Sequence, residues 1–374
     1  MKVRRRFDAW GGGPALLVSA TSNLEPRPAD VLLQALALLY GAASAIRASL
    51  YRHGWLPTRK LPCRVISVGN LTVGGTGKTP VVIFLAEWLL AQGKCVAVLS
   101  RGYRRTSRSS QVLVSDGRNL LAGPAEAGDE PYLIAQRCPR AIVAVGADRY
   151  ALGRWVLAQH PIDCVVLDDG FQHLSLHRDV NLLLVDATDA RGLEAVVPAG
   201  RLREPLAAAA RATALLLTRA DGNVDPEPVL QRIRQAGGPV EDPVRVSFKP
   251  ERLVNVANGK MEDPARFTDR SAVAFSGIAN PASFHALLEE LGLKVAETIV
   301  FPDHHVYSRA DLEDLRQRVQ RSDVEILITT EKDAGKIAPL LRPDDHCWAV
   351  RLRTEIVDGW ERLERLLLGG NGVT

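Results

Sequence analysis

Apolar and polar positions along this chain change rhythm several times. Val31 to Ile46 is an almost unbroken apolar run, interrupted by Gln34, Gly41 and Ser44, with Pro28 and Asp30 as helix-start signals and Arg47, Arg52, His53, Arg59 and Lys60 behind it. The run predicts a helix. A bilayer span takes about 20 apolar residues and this run is shorter, so a helix lying in a membrane interface or packed on the fold is expected rather than a crossing one. A buried core helix is the plainer alternative.

From Cys63 onward the rhythm shortens to β-branched strand-like runs separated by helical stretches: Val65 to Val68, Val96 to Leu99, Ala141 to Val145, Cys164 to Leu167, Leu182 to Val185 and Ala214 to Leu217. A second set comprises Ala272 to Phe275, Thr298 to Phe301, Glu325 to Thr329 and Trp348 to Leu352. Such alternation predicts an α/β fold with a mostly parallel sheet and helices on both faces, binding its ligands at the carboxyl ends of the strands. The Gly- and Pro-rich stretch Gln235 to Pro250 is the expected boundary. It divides a nucleotide-binding domain at 61–240 from a smaller C-terminal α/β domain at 250–374, with a membrane-associating helix and basic flank at 28–60. Residues 1–27 show no periodicity and read as disorder or a misplaced start; Pro14 to Ala20 is too short for an export signal.

Composition narrows the classes. The chain has 374 residues, 46% hydrophobic and 24% charged, which suits a soluble globular protein of about two domains. Its five cysteines are scattered, without metal-ligand spacing, implying a reducing compartment and no structural zinc. Net charge is only +4, yet residues 1–60 carry nine basic side chains against three acidic ones. Charge concentrated at one end, with only 5% aromatics, argues against a nucleic-acid binder and for contact with an anionic surface. No obligate protein partner is implied.

Two segments carry chemistry. Val65 to Val68 runs into Gly69-Asn70-Leu71-Thr72-Val73-Gly74-Gly75-Thr76-Gly77-Lys78-Thr79-Pro80 and then a helical run, which reads as strand, glycine loop, helix. Thr72 replaces the first glycine of the usual G-x-x-x-x-G-K-[ST], but Thr72, Val73, Gly74, Gly75, Thr76 and Gly77 can still turn backbone N–H groups toward a phosphate. Lys78 would reach the β- and γ-phosphates and Thr79 would ligate Mg²⁺. Val165-Val166-Leu167-Asp168-Asp169-Gly170-Phe171-Gln172-His173 supplies a strand ending in two acids for the metal. A capped strand end is the bland reading.

These two segments resemble the tetraacyldisaccharide 4'-kinase (lipid A 4'-kinase) family. Further matches follow in the family's order: Ser100-Arg101-Gly102-Tyr103, Gly128-Asp129-Glu130-Pro131, Pro198-Ala199-Gly200-Arg201-Leu202-Arg203-Glu204-Pro205, Ser276-Gly277-Ile278-Ala279-Asn280-Pro281, Phe301-Pro302-Asp303-His304 and Thr329-Thr330-Glu331-Lys332-Asp333-Ala334. The resemblance spans about Arg27 to the C-terminus. It implies a P-loop fold in which ATP and Mg²⁺ serve transfer of the γ-phosphate to the 4'-hydroxyl of an acylated glucosamine disaccharide 1-phosphate, at the cytoplasmic face of the bacterial inner membrane. Asp129 is then the base and His304 its partner, chosen over His305 by the Phe-x-Asp-His frame, with Lys78 completing the catalytic set. An N-cap is the plain role for Asp129. Glu204 would tune the metal or merely start a helix. Asn70 and Arg101 are candidate substrate contacts, and Arg104, Arg105 and Arg108 join a basic mouth or a solvated loop.

Asp129 and the phosphate loop in the larger half and His304 in the smaller predict an interdomain site assembled by closure. Thr218-Arg219-Ala220-Asp221 resembles a guanine-reading T-K-x-D with Arg for Lys. A membrane-recruited P-loop switch and a soluble small-molecule kinase are the alternative readings.

Overall fold

The computed structural model describes residues 28–221 and 224–369, so the expectation for residues 1–27 lies outside the described residues. The strands are β1 (Arg64–Asn70), β2 (Val96–Ser100), β3 (Gln111–Asp116), β4 (Ile142–Gly146), β5 (Cys164–Asp168), β6 (Val180–Asp186) and β7 (Ala214–Thr218). After these come β8 (Val244–Asn255), β9 (Met261–Glu262), β10 (Ser271–Ser276), β11 (Lys294–Val300), β12 (Ile326–Thr330) and β13 (Cys347–Asp358). They form one sheet in the order β11-β10-β12-β13-β8-β7-β6-β1-β5-β2-β4-β3, with β9 beside β8. Among the strand pairs of the described residues, β3–β4, β8–β9 and β8–β13 are the antiparallel ones.

The central strands β2, β4, β5 and β7 are buried along their whole length, as parallel strands covered on both faces must be. Alternate side chains serve opposite layers. Ile66, Val68, Val98 and Val166 pack under the helix Lys78–Ala91, whereas Val65, Ala97, Leu99 and Val165 pack with Leu152 and Val156 of the helix Arg149–Leu157. The β10–β12 half repeats the scheme, with Phe284 and Leu288 on one face and Leu312 and Leu315 on the other.

Two elements depart from the sequence reading. The interval Gln235 to Pro250, expected as a boundary, is strand from Val244, because Pro250 sits opposite Leu352 at a register shift and its missing N–H leaves the ladder intact on either side. The twelve-residue strands β8 and β13 form an antiparallel ribbon joining the two parallel halves. The N-terminal helix runs over Pro28–Arg52, longer than the apolar run itself. Its segment Asp30–Arg52, 23 residues holding an 18-residue window of mean hydropathy 1.6, is long and apolar enough to cross a membrane by length and composition. A buried core helix is excluded, since only 11% of that window is buried. Ala37 and Gly41, one turn apart, are its buried positions, and Tyr40 donates to the Arg203 carbonyl at 2.8 Å.

Candidate active site

A cleft of about 880 Å³ opens at the carboxyl ends of β1, β2, β5 and β7 and is faced by residues following β10 and β12. Its floor is the phosphate loop. Gly77, at φ 81°, caps the helix that begins with Lys78, and the ring of Phe248 occupies the space a side chain at 77 would need. Val73 to Thr79 line the cleft. Thr72 does not: it is buried behind the loop, bridged to Leu202. Asn70 is also buried, accepting from Lys78 Nζ at 3.0 Å and donating to the Thr72 carbonyl at 2.8 Å, so its place is behind Lys78 and off the cleft wall.

Asp168, the last residue of β5, and Asp169 after it face Lys78 from the neighbouring strand, whose register sets Asp168 beside Val68. Asp168 is fully buried; Oδ2 accepts from Ser100 Oγ at 2.7 Å and Oδ1 has no partner. Burial, with the charges of Glu130 and Asp169, pushes its carboxyl up to about 7. Asp169, in the left-handed region at φ 52°, accepts from Arg203 at 2.7 Å, and its unpartnered Oδ1 lies 3.6 Å from Lys78. Burial raises its carboxyl too, but Lys78 and Arg203 outweigh it and hold it below the usual range.

These residues fit a divalent cation. Two buried carboxylate oxygens without partners lie beside the phosphate loop, and Mg²⁺ is typically held by one or two carboxylates plus substrate phosphates. Among the described residues no group of three or more His, Cys, Asp or Glu could hold a metal ion. Glu204 stands apart from the cleft lining, buried against Arg211 at 2.7 Å and Gln172 at 3.0 Å, with its charge compensated there.

Across the cleft Asp129 Oδ2 lies 3.2 Å from His304 Nδ1, both side chains 15% exposed. Asp129 is the first residue of its helix and makes no cap; Gly128 holds that position. Burial pushes the Asp129 carboxyl up, but His304, Lys336 at 3.4 Å and Lys332 together bring it below the ordinary range. His304 adopts φ 59° and packs edge-on to Tyr103, the ring centres 5.4 Å apart. His305 instead stacks on Phe301 and reaches Asp311 at 3.2 Å, away from Asp129. Arg101 is exposed on the cleft wall; Arg104 donates to the Asp303 carbonyl at 2.9 Å and Arg105 to that of Ser109. Arg108 does not reach the cleft.

Sequence reasoning gave no role to Glu130, Ser100, Arg203, Lys332 or Lys336. Lys332 and Lys336 are four apart in the helix Glu331–Ile337, a spacing that puts both on one face. The Thr218 to Asp221 segment is no base reader: Arg219 pairs with Asp186, and Asp221 is held by Ser247 at 3.0 Å and Lys249 at 3.1 Å.

Over residues 29–369 the sequence matches the family described as Tetraacyldisaccharide-1-P 4'-kinase. The chain belongs to that family. It is 38% identical to the tetraacyldisaccharide 4'-kinase of Pelobacter propionicus over 88% of this chain and 89% of that one. The enzyme of the same name from Geobacter metallireducens is 40% identical over 87% and 94%. A crystal structure of LpxK from Aquifex aeolicus in complex with ATP superposes with a TM-score of 0.72 at 34% identity, covering 91% of this chain and 99% of that one. Family membership makes the chain an ATP-dependent kinase of lipid A biosynthesis.

Proposed function

We propose that the chain transfers the γ-phosphate of ATP to the 4'-hydroxyl of a tetraacylated glucosamine disaccharide 1-phosphate, at the cytoplasmic face of the inner membrane. The observation that carries this reading is that the phosphate loop and the Asp129–His304 pair line one cleft. In it, Val73 to Thr79 and Lys78 hold the triphosphate, while Asp168, Asp169 and Thr79 hold Mg²⁺, which neutralises phosphate charge when bound. Asp129, kept anionic by its cations, takes the proton of the 4'-hydroxyl with His304 orienting its carboxylate. Arg101 meets the anionic acceptor at the mouth. Because Asp129 and His304 stand on opposite sides of the β8–β13 ribbon, closure of the smaller C-terminal body sets their approach.

The exposed N-terminal helix supports membrane attachment, since it leans on the segment that carries Arg203 and leaves Leu38 75% and Leu39 69% exposed. Labelled ATP, purified protein and the acylated disaccharide in mixed micelles test the reading: it requires a labelled lipid bearing a new phosphomonoester. Hydrolysis of ATP without labelled lipid would support a P-loop switch instead.

A further inference from the structure

We propose that Arg219 and Arg201 are positioning residues of the phosphate loop, each clamping one loop carbonyl to an acid at the carboxyl end of β6. The inference rests on the reading of that loop as the triphosphate site. Arg219 Nη2 donates to the Gly75 carbonyl at 3.1 Å while Nη1 pairs with Asp186. Arg201 donates through Nε and Nη2 to the Val73 carbonyl at 3.2 and 3.1 Å while Nη1 reaches Asp189 at 2.7 Å. Both acids are themselves anchored. Asp186 Oδ1 accepts from the Thr188 N–H at 3.0 Å and hydroxyl at 2.6 Å, and Asp189 Oδ1 from the Gly192 N–H at 3.0 Å.

The geometry has a direct effect on the loop's donors. In a trans peptide the carbonyl and the following N–H point in opposite directions. Pinning Val73 O and Gly75 O onto guanidinium groups therefore turns the N–H groups of Gly74 and Thr76 away from the clamps. Alternate carbonyls are held and alternate donors are freed. Gly74, between the two, has φ 128°, and a Cβ there would stand 2.6 Å from Arg201 Nη2, so a side chain at 74 would push the guanidinium off the Val73 carbonyl. Arg219 itself occupies the left-handed region at φ 54°, a backbone cost that a residue free to point elsewhere would not carry. Donors fixed before the substrate arrives need no reorganisation, which is the advantage of a preorganised site.

Asp186 separates positioning from direct contact, because it anchors Arg219 without lining the cleft. Arg219→Ala, Arg219→Lys, Arg201→Ala, Asp186→Asn and Lys78→Ala are compared for KM of ATP, KM of the acceptor, kcat, ATP affinity by titration calorimetry, and melting temperature. A misplacement of about 1 Å can cost about 100-fold, so Arg219→Ala is expected to lower kcat/KM for ATP by about 10- to 100-fold with the acceptor KM unchanged. Asp186→Asn follows in the same direction. Arg219→Lys recovers part of the loss, since one ammonium satisfies the acid or the carbonyl but not both. Arg201→Ala is milder because its pair is half exposed. ATP kinetics unchanged in Arg219→Ala and Asp186→Asn, with affinity lost in Lys78→Ala, would overturn the clamp and leave the loop reading standing. Full ATP affinity in Lys78→Ala would overturn the loop reading and the clamp with it. An equal rise in both KM values with a collapsed melting temperature, in Arg219→Lys as well as Arg219→Ala, would reduce the arginines to fold supports and also overturn the proposal.

Discussion

His304 Nδ1 approaches Asp129 Oδ2 to 3.2 Å across 175 positions of sequence. Asp129→Asn is therefore expected to lower kcat by about 10²- to 10⁴-fold, the usual worth of general-base help, while ATP affinity by calorimetry stays within a few-fold of the parent. His304→Ala should fall less far, since it removes the partner and leaves the carboxylate.

Lys336 Nζ lies 3.4 Å from the Asp129 carboxylate and 2.8 Å from Asp333. The cations around Asp129 depress its carboxyl, so the stability they add is present above the ordinary carboxylate range and lost as pH falls through the depressed value. Replacing Lys336 with Met removes one of them and lets the carboxyl protonate at higher pH. The acid limb of the kcat/KM profile for the acceptor should then move upward in pH; an unmoved limb would separate Lys336 from the base.

Asp168 holds an unpaired oxygen in a fully buried position beside Asp169 and Glu130. Asp168→Asn relieves that repulsion, so the protein in EDTA should melt at higher temperature, by about 1 kcal/mol of added stability. The same change should raise the Mg²⁺ concentration needed for half-maximal turnover. Differential scanning calorimetry with and without Mg²⁺ measures the first, and a Mg²⁺ titration of activity the second.

Leu38 and Leu39 project from the fold. Charged replacements at both should abolish sedimentation with anionic vesicles and leave the melting temperature unchanged, because neither packs against the body.

The parallel strands and the phosphate loop were legible because their signals are local. A continuous apolar run marks each buried strand, and the glycines with Lys78 mark the loop even where Thr72 breaks the pattern. The edge strand Gln111–Asp116 escaped notice, since a strand with one open side mixes polar and apolar residues. Val244–Asn255 escaped because Pro250 falls within it, and its strand character comes from pairing on both sides, with Cys347–Asp358 and with Ala214–Thr218. At the site, the acid pair was picked out by the apolar run that ends in it, whereas Asp129 and His304 came from the family resemblance, and the structure brings those two within 3.2 Å of each other. Glu204 was open between tuning the metal and starting a helix and Asn70 was a candidate substrate contact, yet neither lines the cleft: Glu204 Oε1 accepts from Arg211 and Gln172, and Asn70 accepts from Lys78. Which way a side chain turns depends on partners distant in sequence, and no local pattern records that.

The N-terminal helix meets the body around Ala37 to Gly41 and again where Arg47 donates to the Gln172 carbonyl at 3.4 Å, and it leaves Leu32, Leu36 and Ile46 in water as well. Rods of this kind bundle with one another in plain buffer. Particle size measured without detergent will accordingly report how the greasy segments hide from solvent, and a detergent series has to precede any count of subunits.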